Sequence, residues 1–245
     1  MAVTKKYKNP PLTEAVFEIF FTCKDWSPIV PGIFYNEIKS DFPNISQASG
    51  GAFGISFDAS GFQIGPGSND LTQYKSPDNS TIIQLSNGLF TVNKLPRYEG
   101  WENYRKVILS AVTSLEKSVK IERINRIGLK TINKIDLNKH TYENFRKSYN
   151  VFPSIPQGVL SNDLSSIQLN IETPAVPETE ILALSLVTLK KEPKYEAPSM
   201  LQLYYTRIKD NEGLEIKEWL EVAHSALHKA FDTIITEQKK KEFDV

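Results

Sequence analysis

Leu95–Leu137 reads LPRYEGWENYRKVILSAVTSLEKSVKIERINRIGLKTINKIDL, and its periodicity changes halfway along. Trp101, Tyr104, Val107, Ile108, Ala111, Val112, Leu115 and Val119 recur at three- and four-residue steps, which lays one apolar stripe along a helix over Trp101–Val119. From Ile127 the period falls to two. Ile127, Leu129, Thr131, Asn133, Ile135 and Leu137 share one parity, and Arg126, Gly128, Lys130, Ile132, Lys134 and Asp136 share the other. The stretch predicts a long amphipathic helix followed at once by a strand with one basic face.

Upstream, Leu12–Phe21 (LTEAVFEIFF) reads as a strand apolar on both faces apart from Glu14 and Glu18, and Pro10–Pro11 forbids a helix leading into it. Pro31–Phe42 carries Ile33, Phe34, Ile38 and Phe42 at helical spacing and stops at Pro43. A loop over Ser46–Gly54 precedes short strands at Ile55–Phe57, Phe62–Ile64, Thr81–Leu85 and Leu89–Asn93. The Asn87–Gly88 pair is the strongest hairpin signal in the chain. Downstream come a short helix around Tyr142–Tyr149 and strands at Ser166–Glu172, Ile181–Lys190 and Leu201–Lys209. The final helix has the stripe Ile216, Trp219, Leu220, Ala223, Leu227, Ala230, Phe231 and Ile234, with Lys239, Lys240 and Lys241 expected to cap its last turn.

Each half therefore reads strand, short helix, antiparallel strands, long helix. The expected fold class is α+β: two similar halves, 1–119 and 120–245, with helices packed on antiparallel sheets, or the two closed into one compact unit. Sequence identity between the halves is negligible, so the repeat rests on element order.

Composition bounds the rest. With 245 residues and 40% hydrophobic content the chain can bury a substantial core. Its 29 basic residues balance 29 acidic ones, so no global field draws it toward nucleic acid or an anionic membrane. The charge is nonetheless polarised: Lys117–Lys147 holds nine basic against three acidic residues, and residues 148–245 hold ten against fifteen. Cys23 has no second cysteine to pair with and is expected to be a small buried hydrophobe in a reducing cytoplasm. The opening MAVTKKYKNPP is charged where a secretory leader would be apolar, and no stretch approaches the length of a membrane span.

YKNPPLTEAVFEI (7–19), RYEGWENY (97–104) and RINRIGLKTIN (123–133) together resemble the motifs of a sporadically distributed bacterial family of uncharacterised proteins of about this length. The matching positions are Pro11, Glu14, Ala15, Arg97, Gly100, Trp101, Arg126, Gly128, Leu129 and Asn133. The chain departs at Lys130 and Thr131, where the family pattern more often has Arg–Tyr. The resemblance covers Pro11 to about Asn133 and implies a cytoplasmic bacterial protein, patchily inherited and associated with defence or mobile elements. It brings no activity with it.

Candidate chemistry is sparse. Glu221, His224 and His228 sit one helical turn apart, a spacing able to hold zinc, but they lack the glutamate beside the first histidine that a hydrolytic zinc helix carries and read better as a solvated flank. His140 reads as a helix start. GFQIGPG (61–67) has neither the Lys-Ser/Thr nor the following helix of a phosphate loop. Glu14 is expected to pair with Arg126 across the sheet, joining the halves. Arg126, Lys130 and Lys134 form a basic stripe, with Tyr142 and Phe145 as stacking surfaces, that either contacts phosphates or meets the acidic C-terminal region. Trp101 is either an anchor for a partner or a plug for its own core, with Arg97 exposed beside it.

The sequence contains no catalytic or cofactor motif. It reads as a non-enzymatic binding protein acting on another protein or on a second copy of itself, with residues Glu14, Arg97, Trp101, Arg126, Lys130 and Lys134 as the binding set. The two rival readings are a nucleic-acid accessory protein using the 117–147 stripe and a small-ligand binder or enzyme with a site between the halves built from Glu14, Arg97 and Arg126.

Overall fold

A computed structural model of the chain describes residues 7–47, 71–96, 98–154, 158, 161–209 and 211–244, together with the backbone of 53–58 and 61–66. The first half of the chain supplies β1 (Leu12–Thr22), α1 (Val30–Ile38), β2 (Asn44–Gln47), β3 (Phe53–Asp58), β4 (Gly61–Pro66), β5 (Thr72–Lys75), β6 (Thr81–Ser86), β7 (Leu89–Lys94) and α2 (Trp101–Ser118). The second supplies β8 (Arg123–Asp136), α3 (Tyr142–Ser148), β9 (Gln168–Val176), β10 (Glu180–Thr188), β11 (Pro198–Arg207), α4 (Ile216–Ile234) and α5 (Glu237–Glu242).

β3 and β4 pair with each other. The remaining strands form one antiparallel sheet of nine in the order β2-β5-β6-β7-β1-β8-β11-β10-β9. The first strand of each half thus meets at the centre, β1 against β8, in a register running from Leu12↔Asn133 to Thr22↔Arg123. Outward from this pair the order is β7, β6, β5 on one side and β11, β10, β9 on the other, each neighbour antiparallel. The sheet is continuous across the boundary near Val119.

The two faces of the sheet differ because strand parity separates their residues. One face carries Phe17 and Ile19 of β1, Ile83 and Leu85 of β6, Phe90 and Val92 of β7, and Leu201 and Leu203 of β11, all fully buried. The helices pack there: Phe34 of α1 meets Tyr74 and Phe90 edge-on, Tyr149 just after α3 bonds Ser199, and Trp219 of α4 lies against Tyr205. On α2 the buried residues Tyr104, Ile108, Ala111, Val112 and Leu115 follow the expected stripe, each large one worth about 1.5–3 kcal/mol of burial. Gly100 opens this helix at φ 114, ψ 165, a conformation an L side chain rarely adopts, which is why the Gly–Trp pair stands at the turn.

Several expectations need correction. β2 and β5 pair as an outer hairpin-like edge that the sequence did not announce. The last helix does not run into the lysine cluster: α4 ends at Ile234, Thr236 accepts from the Lys239 amide, and a separate turn begins. Lys239 and Lys240 are consequently buried rather than a solvated cap, with Lys239 Nζ donating to the Asp136 carbonyl at 2.6 Å. Cys23 is half-exposed. His140 contacts the Pro198 carbonyl at 3.0 Å, while Thr141 caps α3. Among the described residues, no helix is long and apolar enough to cross a membrane.

Candidate functional site

A pocket of about 600 Å³ lies on the helix-covered side of the sheet, directly over the β1–β8 pair. Its floor is Leu12 and Ala15 of β1 with Leu129, Thr131 and Asn133 of β8. The register shift between Leu12 and Glu14 brings Leu12 opposite Asn133, on the same face as Ala15. The start of α2 contributes one wall through Gly100, Trp101 and Tyr104, and α4 contributes the facing wall through His224, Leu227 and Phe231. Residues 7–11 close an end. Tyr7 packs edge-on against Phe243 and Phe231, the Asn9 amide donates to the Phe243 carbonyl at 2.8 Å, and Pro10 and Pro11 line the cavity.

The walls are joined by a polar latch. The Trp101 indole stacks on His224 with centroids 4.1 Å apart and planes 5° from parallel. Its N–H donates to Glu221 Oε2 at 3.2 Å, and Arg105 reaches the other oxygen of Glu221 at 2.7 Å. Burial first, then the neighbouring His228, pushes His224 down to about 4, so the stacked imidazole is neutral at physiological pH. His228 faces Asp232 at 3.4 Å. The three residues with zinc-like spacing are therefore spent on the latch and on Asp232: Glu221 on indole and guanidinium, His224 on the stack.

The opposite face of the sheet holds a second polar assembly. Glu18, 5% exposed, receives the Tyr204 hydroxyl at 2.6 Å and stands 3.6 Å from Lys130 Nζ and 4.0 Å from Arg126. Lys130 is 3% exposed and lies 4.9 Å from the centre of the Tyr204 ring. Arg126 covers the Phe20 ring at 3.9 Å. Burial raises the Tyr204 hydroxyl well above its ordinary pKa, which keeps it the donor.

These positions redistribute the candidate residues. The expected Glu14–Arg126 pair does not form: in the register Glu14 faces Ile132 and Arg126 faces Phe20, and Glu14 instead accepts from Asn93 Nδ2 at 2.7 Å. Glu18 is the partner of Arg126, and of Lys130. Lys134 pairs with Glu192 at 2.9 Å near the Tyr195 ring, so each cation of the stripe has a carboxylate partner, Glu18 from the N-terminal half or Glu192 from the C-terminal half. Phe145, expected as a stacking surface, is fully buried. Trp101 is in the pocket wall. Arg97 and residue 67 of the glycine-rich segment lie outside the described residues.

The three motif stretches supply most of the pocket's lining, and six of the positions that carry the resemblance are among it: Pro11 and Ala15, Gly100 and Trp101, Leu129 and Asn133. The sequence flagged the stretches but not the cavity, because they lie far apart in the chain and meet only through strand pairing and helix packing. Compared with known proteins, the chain matches no family model and no curated sequence.

Proposed function

We propose that the protein is a non-enzymatic binding protein built from two repeats of one α+β unit, and that it takes a small apolar ligand in the pocket at their junction. The repeat is supported by the element order and by strand positions that read alike outward from the β1–β8 pair. The single observation carrying the ligand reading is that residues from three distant motif stretches, and from the long helix of each half, converge on one largely apolar cavity of ligand size. Pairing of Arg126, Lys130 and Lys134 within the fold argues against using that stripe for phosphates. A half-exposed lone thiol suits a reducing cytoplasm.

The test uses N-phenyl-1-naphthylamine, a neutral dye that brightens in apolar sites. It should bind with one site per chain, and Thr131→Phe, which fills the floor, should weaken it about tenfold while Lys134→Gln on the other face leaves it unchanged. Equal binding to all three proteins would remove the reading.

A further inference from the structure

We infer that the ligand of this pocket carries a protonated amine on an apolar body; the inference rests on the ligand-binding reading above and narrows it. Asn133 is 3% exposed and lines the floor. Its Nδ2 donates to the Leu201 carbonyl at 3.4 Å, and because a carbonyl only accepts, the amide is oriented with Oδ1 turned the other way. No donor among the described residues reaches that oxygen. The oxygen is not sealed in the interior and so stands open to the cavity that its residue lines, an acceptor that a ligand N–H can engage in place of water.

The charges around the cavity point the same way. Glu99, Glu102 and Glu221 stand against Arg105, which pairs with two of them, and the exposed Lys8. His224 on the wall is neutral. The described surroundings thus favour a cation over an anion, and a carboxylate-bearing ligand would meet both the Asn133 oxygen and this acidic rim. The aromatic lining adds to the preference. Tyr98, Trp101, Tyr104 and Phe231 border the cavity, and ring faces and carbonyl oxygens together are the surroundings in which ammonium groups are held.

The experiment is calorimetric titration with three probes on one phenyl-alkyl body: 2-phenylethylamine, 2-phenylethanol and 3-phenylpropanoate. The amine should bind about tenfold tighter than the alcohol, and the carboxylate weakest. Asn133→Asp should widen the amine-to-alcohol ratio by about another tenfold, and Asn133→Leu should shrink it to near unity. If a variant fails to fold, the wild-type ranking decides alone. An alcohol or carboxylate that binds as tightly as the amine overturns the amine inference while leaving the ligand reading intact. Failure of all three probes where the naphthylamine dye still binds does the same, and failure of the dye as well removes both.

Discussion

Tyr204 reaches Glu18 by lying flat across Gly128: its hydroxyl donates to the carboxylate at 2.6 Å, and a Cβ at position 128 would come within 2.4 Å of the ring. Glu18 and Thr206 face Gly128 from the two adjacent strands, so the ring crosses diagonally from β11 over β8 to β1. This explains the Arg–Ile–Gly–Leu–Lys spacing. Arg126 and Lys130 bracket the carboxylate, and the glycine between them clears the path for the phenol.

Gly128→Ala should therefore destabilise the protein by about 2–3 kcal/mol, the range for forcing an extra methyl into a packed site with loss of a buried bond. Urea denaturation of Gly128→Ala, Tyr204→Ala and the double variant checks the cause. With Tyr204 removed, the added methyl should cost less than about 0.5 kcal/mol. Additive costs would mean that the ring is not what the glycine accommodates.

The two glutamates of β1 should behave differently although they share one face. Glu18→Ala takes a carboxylate from beside the buried Lys130 and the half-buried Arg126 and is expected to cost about 3–5 kcal/mol. Glu14→Ala removes one half-buried hydrogen bond to Asn93, worth about 1 kcal/mol. Equal losses on chemical denaturation would contradict the assignment of Glu18 as the shared partner.

Stability should also fall with acid in a defined window. His224 titrates near 4 in the folded protein and near 6.5 in the unfolded chain, so the unfolded state binds the extra proton first as pH drops. The stabilisation is present above 6.5 and is lost between about 6.5 and 4. Discounting for the partial exposure of the ring, it amounts to roughly 2 kcal/mol. His224→Phe preserves the stack on Trp101 and removes the titration, so its stability should lose that portion of the pH slope. An unchanged slope would place the titrating group elsewhere.

The latch gives a separate prediction. Trp101→Phe retains an aromatic ring on His224 but has no N–H for Glu221, and should cost about 1 kcal/mol. Trp101→Ala should cost about 3 kcal/mol and also weaken the naphthylamine dye, since it removes a wall of the pocket. Dye binding unaffected by Trp101→Ala would separate the dye site from this cavity.

Long periodic segments were legible in the sequence: α2, β8 and α4 carry enough turns or alternations for their buried faces to be read, and Asn87–Gly88 does join β6 to β7. Four-residue strands such as β2 and β5 are too short to carry a period. The break after Ile234 was hidden because the apolar spacing nearly continues through it, and only the Thr236 cap betrays a restart. The choice between Glu14 and Glu18 could not come from β1 alone. Parity puts both on one face, and the alignment with β8, fixed partly by the shift at Leu12–Glu14, decides which one meets the arginine and lysine. Tyr204 carried no signal, since its role exists only because Gly128 lies on the neighbouring strand. The pocket was illegible for a similar reason, being assembled from three stretches and a helix far apart in the chain.

Methyl-labelled protein titrated with 2-phenylethylamine should show saturable NMR shifts at Leu12, Ala15, Leu129, Thr131 and Leu227, whose methyl groups line the cavity, while Val16 and Ile132 on the other face of the same strands stay in place. Shifts concentrated at Val16 and Ile132, or spread evenly over both faces, would contradict a binding site at the junction of the two halves.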